Sequence, residues 1–362
     1  MRPTTRPPEP SEPPAGAAGS STVPDAAGPG RHRLSRCLIA LVILVVLIAF
    51  AIICSVAFGA RIVSVGEILD GLRGSTDDLG AAVVSERLPR TATALIAGAA
   101  LGVSGALMQA ITRNPIADPG ILGINTGASL AVLLGIAFLH ISTTNQYLWI
   151  ALVGAALTAV GVYAIGSAGP GGPTPVKLAL AGVATTAALS CVISAVMLPR
   201  AQGLDDFRYW QVGSVGRADW AALATVAPFL VAAAVIAMLV AGPLNSLALG
   251  DEMAVGLGVN VPLTRLAAAG AGVLLCAAVT AVAGPIGFVG LMVPHAVRML
   301  CGPNHYWLLP LSALAGAALL TLADVLGRVI SRPSEIAVGV VTAFVGAPIL
   351  IMIARGAKVR EL

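Results

Sequence analysis

The sequence predicts an all-α, polytopic membrane protein with about ten transmembrane helices, and three observations lead to this fold class. Of the 362 residues, 57% are hydrophobic and only 10% are charged, whereas a soluble domain carries about a quarter charged residues. The apolar residues form runs close to the ~20 residues that a helix needs to cross a bilayer. The chain has 41 glycines and only 4% aromatic residues, which indicates helices that pack through small side chains.

The chain begins with a polar region and then enters its first apolar run. Residues 1 to about 30 are rich in Pro, Ala, Gly and Ser, so we assign 1–36 to a disordered cytoplasmic tail. The run from Cys37 to Ala60 exceeds the roughly 7–15 residues of a signal-peptide core. We therefore expect a retained first helix that is preceded by cytoplasmic arginines. These are Arg31, Arg33 and Arg36.

Nine further apolar runs complete a predicted transmembrane domain over 37–356, ahead of a short cytoplasmic tail at 357–362. Between the first two spans, 61–86 is expected to be a polar connector with one short surface helix in VSVGEILDGLRG. An even number of spans places both termini in the cytoplasm, and a weak excess of basic residues on that side agrees. The nine spans are predicted at 91–111, 120–140, 147–167, 178–198, 220–241, 265–284, 286–301, 307–328 and 336–354.

The second span carries glycines at spacings of four and three residues, which allow a neighbouring helix backbone to approach closely. These are Gly98, Gly102 and Gly105. The span is followed by RNPIADPG, in which each proline disfavours a helical conformation of the residue before it. Asp118 suits an N-cap, and Pro119 suits the first helical position. We predict a helix that ends near Thr112, a short polar bridge, and a new helix from about Pro119.

A second polar break separates later spans, from Asn245 to Arg265. Gly250 precedes Asp251 and Glu252, whose charges suit the first turn of a helix. Glycines at 256 and 258 then interrupt the helix. We expect a short helix, a glycine corner and a second short segment on the cytoplasmic side. The residues alone leave open whether this is a connector or a docking element.

Two energy sources can be tested against the sequence. A P-loop needs GxxxxGK(S/T), and the nearest candidate, GPGGPTPVK at Gly169–Lys177, has a misplaced glycine and prolines that remove amide donors. If ATP is used, it is therefore expected to bind another subunit. Ion-coupled carriers place ionisable residues inside their spans, whereas the span centres here carry essentially none. The ionisable residue nearest to a span centre is Asp324, and Arg328, one turn later, is placed for a local ion pair with it. An ion-coupled secondary transporter is therefore only a distant alternative.

Covalent and metal chemistry are also disfavoured. Gly102 to Gly105 reads GVSG and fits the GxSG motif of rhomboid proteases, but no mid-span histidine is available as a base. We interpret Ser104 as a small packing residue. The five cysteines lie in or beside apolar runs without CxxC spacing, which is typical of small apolar side chains rather than metal ligands. No basic nucleic-acid surface is evident.

The chain carries a series of motifs in a fixed order. They are Arg87-Leu88-Pro89-Arg90, Ser104-Gly105 with Gln109, Asn114-Pro115-Ile116-Ala117-Asp118-Pro119, LALGDEMAVGLG at 247–258, AVAGPIGFVGLMVPHAVRML at 281–300, Asp324 to Arg328, Glu335 to Ala343, and Gly346-Ala347-Pro348. In this order the motifs resemble those of the iron-siderophore and cobalamin importer permeases of the ABC class, the FecCD type. The resemblance covers about 40–356, and the departure at Ile116, where leucine is usual, is mild.

This resemblance implies a type II ABC importer permease that performs no covalent chemistry and binds no cofactor. Two such permeases, identical or paired, would enclose one pathway. Two ATPase subunits would use ATP and Mg²⁺, and a lipid-anchored or periplasmic binding protein would deliver the substrate. A ferric siderophore is the expected cargo, since Arg113-Asn114-Pro115 resembles siderophore members more than cobalamin members; cobalamin and haem are the alternatives.

The resemblance also implies roles for residues at three places. Docking of the binding protein is expected on exposed arginines, namely Arg87, Arg90 and Arg328. A cytoplasmic gate or pathway is expected at Gln109, Asn114, Ile116, Pro175 and Val176, the last two by position only. Coupling to the ATPase is expected at Gly250, Asp251, Glu252, Gly256, Leu257 and Gly258.

Overall fold

The computed structural model describes residues 29–59, 61, 63–74, 78–115, 117–168, 174–200 and 205–357. Within these ranges the chain forms fourteen α-helices and two short 3-10 helices, at Pro119–Leu122 and Leu198–Arg200, and no β-strand. The α-helices are α1 Pro29–Ala57, α2 Val65–Leu72, α3 Leu79–Thr112, α4 Ile124–Leu139, α5 Thr144–Ser167, α6 Pro175–Met197, α7 Asp205–Gln211, α8 Trp220–Leu239, α9 Ala241–Leu247, α10 Asp251–Gly256, α11 Val261–Ala283, α12 Val289–Cys301, α13 His305–Ile330 and α14 Val338–Ala357.

Ten of these helices are the apolar spans that the sequence predicts. Seven of them, α1, α3, α5, α6, α8, α11 and α13, are long and apolar enough to cross a membrane, and α4, α12 and α14 are shorter apolar helices. The prediction of an all-α protein with about ten spans is therefore confirmed. Successive spans run in opposite directions. The first residues of α1, α6, α11 and α13 therefore lie at the same end of the bundle as the last residues of α3, α5, α8 and α12. We call this end of the bundle the N-terminal face.

Two helices form the centre of the bundle. In α3 and α13, 67% of the most apolar 18-residue window is buried, against 11% in α1 and 17% in α6, so α1 and α6 lie at the periphery. A Cβ atom at Gly98 would collide with the backbone carbonyl of Gly316 in α13, and one at Gly105 with that of Gly290 in α12. The predicted close approach through glycine is thus present, and α13 and α12 are the helices that use it.

Helix α3 is longer than predicted, because it begins at Leu79 rather than near Thr91 and runs through Pro89. Its first turn is capped by Asp78, whose carboxylate accepts from the N–H of Gly80 at 3.1 Å. The polar connector is correspondingly shorter, and its predicted surface helix is α2, which a capping box of Ser64 and Glu67 begins. The charged residues that suggested a connector lie on the helix itself.

The polar bridge after α3 has the predicted form. Helix α3 ends at Thr112, and Asp118 caps the 3-10 turn that Pro119 begins. The α-helix proper starts only at Ile124, because Gly123 turns the chain in a left-handed conformation at φ 68°. The bridge is therefore a bend, a single 3-10 turn and a second bend.

The later polar break differs from the prediction in one part. Helix α10 begins at Asp251 after Gly250, as predicted, and Gly258 has a φ of 79° that forms the glycine corner. A separate short segment does not follow, because α11 already begins at Val261, where Asn260 caps it and Pro262 occupies its first turn. The additional short helix, α9, lies before α10 instead.

The ends of the chain and the short eighth span also differ in detail. Helix α1 starts at Pro29, so 29–36, which the sequence assigned to the tail, are helical. The predicted disorder of the earlier residues and most of the tail at 357–362 lie outside the described residues. Helix α12 begins at Val289 rather than 286, after Phe288 adopts a left-handed φ of 69°.

Candidate functional site at the N-terminal face

A cavity of about 730 Å³ opens beside the polar bridge, between the end of α3, α5, α6 and the start of α11. Its walls combine apolar side chains of α6, including Val183 and Leu180, with a few polar groups. The polar residues are Thr112, Asn114, Asp118, Tyr163 and Arg265. The cavity therefore leaves space for movement or for a ligand beside the break between α3 and α4.

Asp118 is the acidic group of this wall. One of its carboxylate oxygens accepts from the N–H of Gly120 at 2.6 Å, which fixes the 3-10 turn. Burial raises the pKa of Asp118 above its ordinary value, and the hydrogen bond from Gly120 offsets only part of this effect. The carboxyl group thus serves as a cap rather than as a free charge.

The predicted gate residues are partly brought together. Asn114 and Val176 line the same cavity, and Val176 is 68% exposed in the first turn of α6. Pro175 begins α6, and Ile116 lies outside the described residues. Residues 169–173, in the glycine-rich loop before α6, also lie outside the described residues.

Gln109 lies elsewhere. Its side chain is 2% exposed, and Nε2 donates to the carbonyls of Gly290 at 3.2 Å and Leu291 at 3.0 Å. The expectation that Gln109 lines the pathway is corrected by this position, because the side chain joins α3 to α12. The helical repeat explains this position. Gln109 lies one turn beyond Gly105 on the same side of α3, and Gly105 also packs against α12.

The segment from α9 to α10 is bound to both sides of the cavity by charge. The Asp251 carboxylate accepts from Arg265 Nη2 at 3.0 Å and also pairs with Arg113, the residue directly after α3. Arg113 donates in addition to the carbonyl of Leu247 at 2.8 Å. Sequence reasoning missed this cluster, because 138 residues separate Arg113 from Asp251.

The remaining predicted coupling residues lie on the surface of this segment. Gly250, Gly256 and Gly258 each face open space. Glu252 is exposed, and Leu257 is 59% exposed. They form a free surface at the N-terminal face rather than part of the core.

The three predicted docking arginines form a cluster at the opposite face. Asp324, 1% exposed, pairs with Arg90 at 2.8 Å and with Arg328 at 2.9 Å. Arg328 also donates to the Ser55 carbonyl at 3.0 Å, and Arg87 to the Val56 carbonyl at 2.8 Å. These carbonyls belong to the last turn of α1, which lacks helical partners for them.

This cluster corrects the expectation of three exposed arginines. Arg328 is 1% exposed and Arg87 6% exposed, and the local pair of Asp324 with Arg328 is present. Only Arg90 has a partner near solvent, Glu335, at 2.7 Å. The arginines are buried because the groups that need their hydrogen bonds are buried. These groups are the Asp324 carboxylate and the unpaired carbonyls in the last turn of α1.

The protease and metal alternatives gain nothing from the geometry. Ser104 is buried and donates to the carbonyl of Gly272 at 2.5 Å, which is a contact between α3 and α11. Among the described residues, no group of three or more His, Cys, Asp or Glu side chains is placed to hold a metal ion.

The described part of the chain has ten apolar helices, a break between α3 and α4 beside a cavity, and a surface segment that contacts this break. Together these features define the class of a multi-pass membrane permease. Residues 46–356 match the FecCD transport family. The chain is 43% identical over 314 residues to the ferric enterobactin transport system permease protein FepD of Escherichia coli (strain K12). This alignment covers 86% of this chain and 93% of that protein.

Two further comparisons agree. The Fe(3+)-citrate import system permease protein YfmD of Bacillus subtilis (strain 168) is 41% identical over 331 residues, 90% of this chain and 97% of that protein. A solved transporter described as being of the metal-chelate ABC type, in an inward-facing conformation, superposes with a TM-score of 0.75 at 28% identity, over 88% of this chain and 99% of that chain. The protein belongs to the FecCD transport family and is a membrane-spanning permease.

Proposed function

We propose that this chain is the permease of an ABC importer that takes up a ferric siderophore across the cytoplasmic membrane. The observation that carries the proposal is identity of about 40% to siderophore and iron-citrate permeases over nearly their whole length. The described span centres agree with a large, weakly charged cargo, because their buried charges are confined to the Asp324 cluster near one face.

The experiment is an uptake assay with the permease, its ATPase and its binding protein reconstituted in liposomes. Radioactive iron is supplied as ferric enterobactin, ferric citrate, a ferric hydroxamate or hemin. ATP-dependent accumulation of at least one ferric siderophore is expected. Uptake of hemin alone would contradict the siderophore assignment and support the second candidate, which is favoured by 39% identity over 267 residues to the hemin permease HmuU of Yersinia pestis.

The N-terminal face is proposed to lie in the cytoplasm and to bind the ATPase, which uses ATP and Mg²⁺. The α9–α10 segment supports this, because it exposes a row of large apolar side chains that water alone does not favour. These are Leu249 at 67%, Met253 at 58%, Val255 at 62% and Leu257 at 59% exposure. A second permease subunit would complete the pathway beside α6, in which only 17% of the apolar window is buried.

Gly258→Val is expected to reduce uptake about tenfold without preventing membrane insertion. A branched side chain at a φ of 79° costs about 1–2 kcal/mol, which displaces the corner after α10. Gly256→Ala should have a smaller effect, because Gly256 is helical and its Cβ position is open. The measurement is iron uptake normalised to permease in the membrane, and equal uptake by the two variants would argue against a shaped docking corner.

A gate is proposed at the polar bridge, where Asn114 and Val176 line one cavity; the family resemblance adds Ile116 and Pro175 to it. A cysteine introduced as Val176→Cys, with the exposed Cys191 replaced by serine, should react with a bulky maleimide at different rates with and without ATP and Mg²⁺. Leu69→Cys on α2, which is 49% exposed at the other face, serves as a control whose rate stays constant. A nucleotide-independent rate at 176 would indicate a static cavity.

Docking of a binding protein at the opposite face stays a prediction. Arg87 and Arg328 are occupied within the chain, so they support the surface from beneath. Arg90 is the arginine of the three that a partner carboxylate could reach, by displacing Glu335, whose side chain is 39% exposed.

A further inference from the structure

The α9–α10 segment is held at two points by different parts of the bundle. In the second turn of α9, the Asn245 side-chain oxygen accepts from the backbone N–H of His305, the first residue of α13, at 2.8 Å. At the first residue of α10, Asp251 pairs with Arg113 and Arg265. Helix α9 is thus fixed to a central helix, and the start of α10 is joined to residues beside the cavity.

Arg113 joins this segment to the polar bridge through a single residue. It directly follows the last residue of α3 in a left-handed conformation, φ 51°, and is itself followed by Asn114. Its guanidinium contacts both the last residue of α9, through the Leu247 carbonyl, and the first residue of α10, through the Asp251 carboxylate. A displacement of the segment therefore displaces the residue that sets the direction of the bridge.

Arg265 joins the same carboxylate to the opposite wall. It lies in the second turn of α11 and lines the cavity together with Asn114 and Val176. Both Asp251 oxygens accept from its Nη2 at 3.0 Å. Asp251 is therefore the shared acceptor of two arginines from two walls, and without it these two cations would face each other.

The energy of this cluster suits a link better than a stabilising core contact. The side chains of Arg113, Asp251 and Arg265 are 47%, 44% and 34% exposed. Ion pairs with this exposure contribute only about 0–1 kcal/mol to stability. Removing the charge should therefore leave the fold intact and change how the segment and the bridge move together.

We infer that Asp251 is a positioning residue that transmits movement of the α9–α10 segment to the Asn114–Pro119 bridge. The inference rests on the proposed function, in which the ATPase binds this segment and the bridge forms the gate. A carboxylate at this place pairs with both arginines at once, whereas an amide cannot neutralise either charge.

The test uses the full transporter in liposomes and compares Asp251→Asn, Asp251→Glu and Arg113→Ala. ATPase co-purification and ATP hydrolysis are measured separately from uptake of ferric enterobactin or whichever ferric chelate the wild type accepts. Asp251→Asn and Arg113→Ala should each lower iron uptake per ATP about fivefold or more with the ATPase still bound. Asp251→Glu should recover most of the loss, and the Asn and Ala changes combined should add little further.

A matched control is Asp70→Asn, which removes a similarly exposed carboxylate from a pair with Arg73 within the α2 region. It should leave uptake per ATP at the wild-type value. Wild-type uptake per ATP in Asp251→Asn would overturn the inference. Loss of ATPase binding in that variant would also overturn it, because Asp251 would then be a docking contact rather than a link.

A second readout separates this inference from the proposed cargo. Asn114→Cys, with Cys191 replaced by serine, should show a maleimide reaction rate that depends on ATP and Mg²⁺. Adding Asp251→Asn should remove that dependence. If the wild type took up no ferric chelate but the labelling behaved as stated, the cargo would be wrong and the link would stand.

Discussion

Replacing Gly98 with leucine is expected to destabilise the permease by about 3 kcal/mol or more, because overpacking at a backbone contact cannot be relieved by a side-chain shift. A Cβ atom there would collide with the Gly316 carbonyl and lie 2.9 Å from Leu320 Cβ. The two most buried spans, α3 and α13, would have to separate along this crossing. The measurement is the thermal unfolding temperature and the monodisperse fraction of the purified protein in detergent.

Gly270→Leu is the matched control for this substitution. Gly270 lies in α11, is exposed, and a Cβ atom there meets nothing within 4 Å. Its unfolding temperature should stay close to that of the wild type, although both changes add the same side chain to an apolar helix. Equal stability of the two variants would contradict the close crossing of α3 and α13.

The sequence predicted the helices well because their causes are local. A run of apolar residues near the required length, and glycines on one side of it, are properties of the run itself. The cap formed by Asp118 and the turn begun by Pro119 also depend only on neighbouring residues. Each of these predictions is present in the structure.

The start of α3 could not be predicted in the same way. Glu86, Arg87 and Arg90 resemble a boundary between membrane and water, and Pro89 resembles a helix breaker. They are tolerated within the helix because Arg87 reaches carbonyls at the end of α1 and Arg90 reaches Asp324, 234 residues away. The satisfaction of these charges is tertiary, so the local pattern gives the wrong boundary.

In the candidate site, too, features with local causes were predicted and features that depend on tertiary contacts were not. Asn114 and Val176 were predicted from motif position, and they share one cavity. Gln109 was placed in the pathway by its motif, although its spacing from Gly105 indicates the side of α3 that faces α12. The cluster of Arg113, Asp251 and Arg265 joins the end of α3 to α10 and α11, and no local sequence pattern indicates it.

Asp324→Asn is expected to destabilise the permease by about 3–5 kcal/mol, because it leaves the buried Arg328 guanidinium without its carboxylate and removes one of the two acidic partners of the partly buried Arg90. Arg90 makes its 2.8 Å contact and Arg328 its 2.9 Å contact with this one side chain. Both arginines also fix α1 and α3 to the end of α13, so the loss should loosen that whole end of the bundle. The measurement is again thermal unfolding of the purified permease.

Glu335→Gln tests whether the effect comes from burial rather than from loss of any acidic partner. Glu335 contacts the same Arg90 at 2.7 Å, but its side chain is 39% exposed, so its removal should cost about 1 kcal/mol or less. Adding Arg328→Met to Asp324→Asn should restore part of the stability, because it removes one of the uncompensated charges. If Asp324→Asn were as stable as Glu335→Gln, the arginines would have another counter-charge and the cluster would not hold this end of the bundle together.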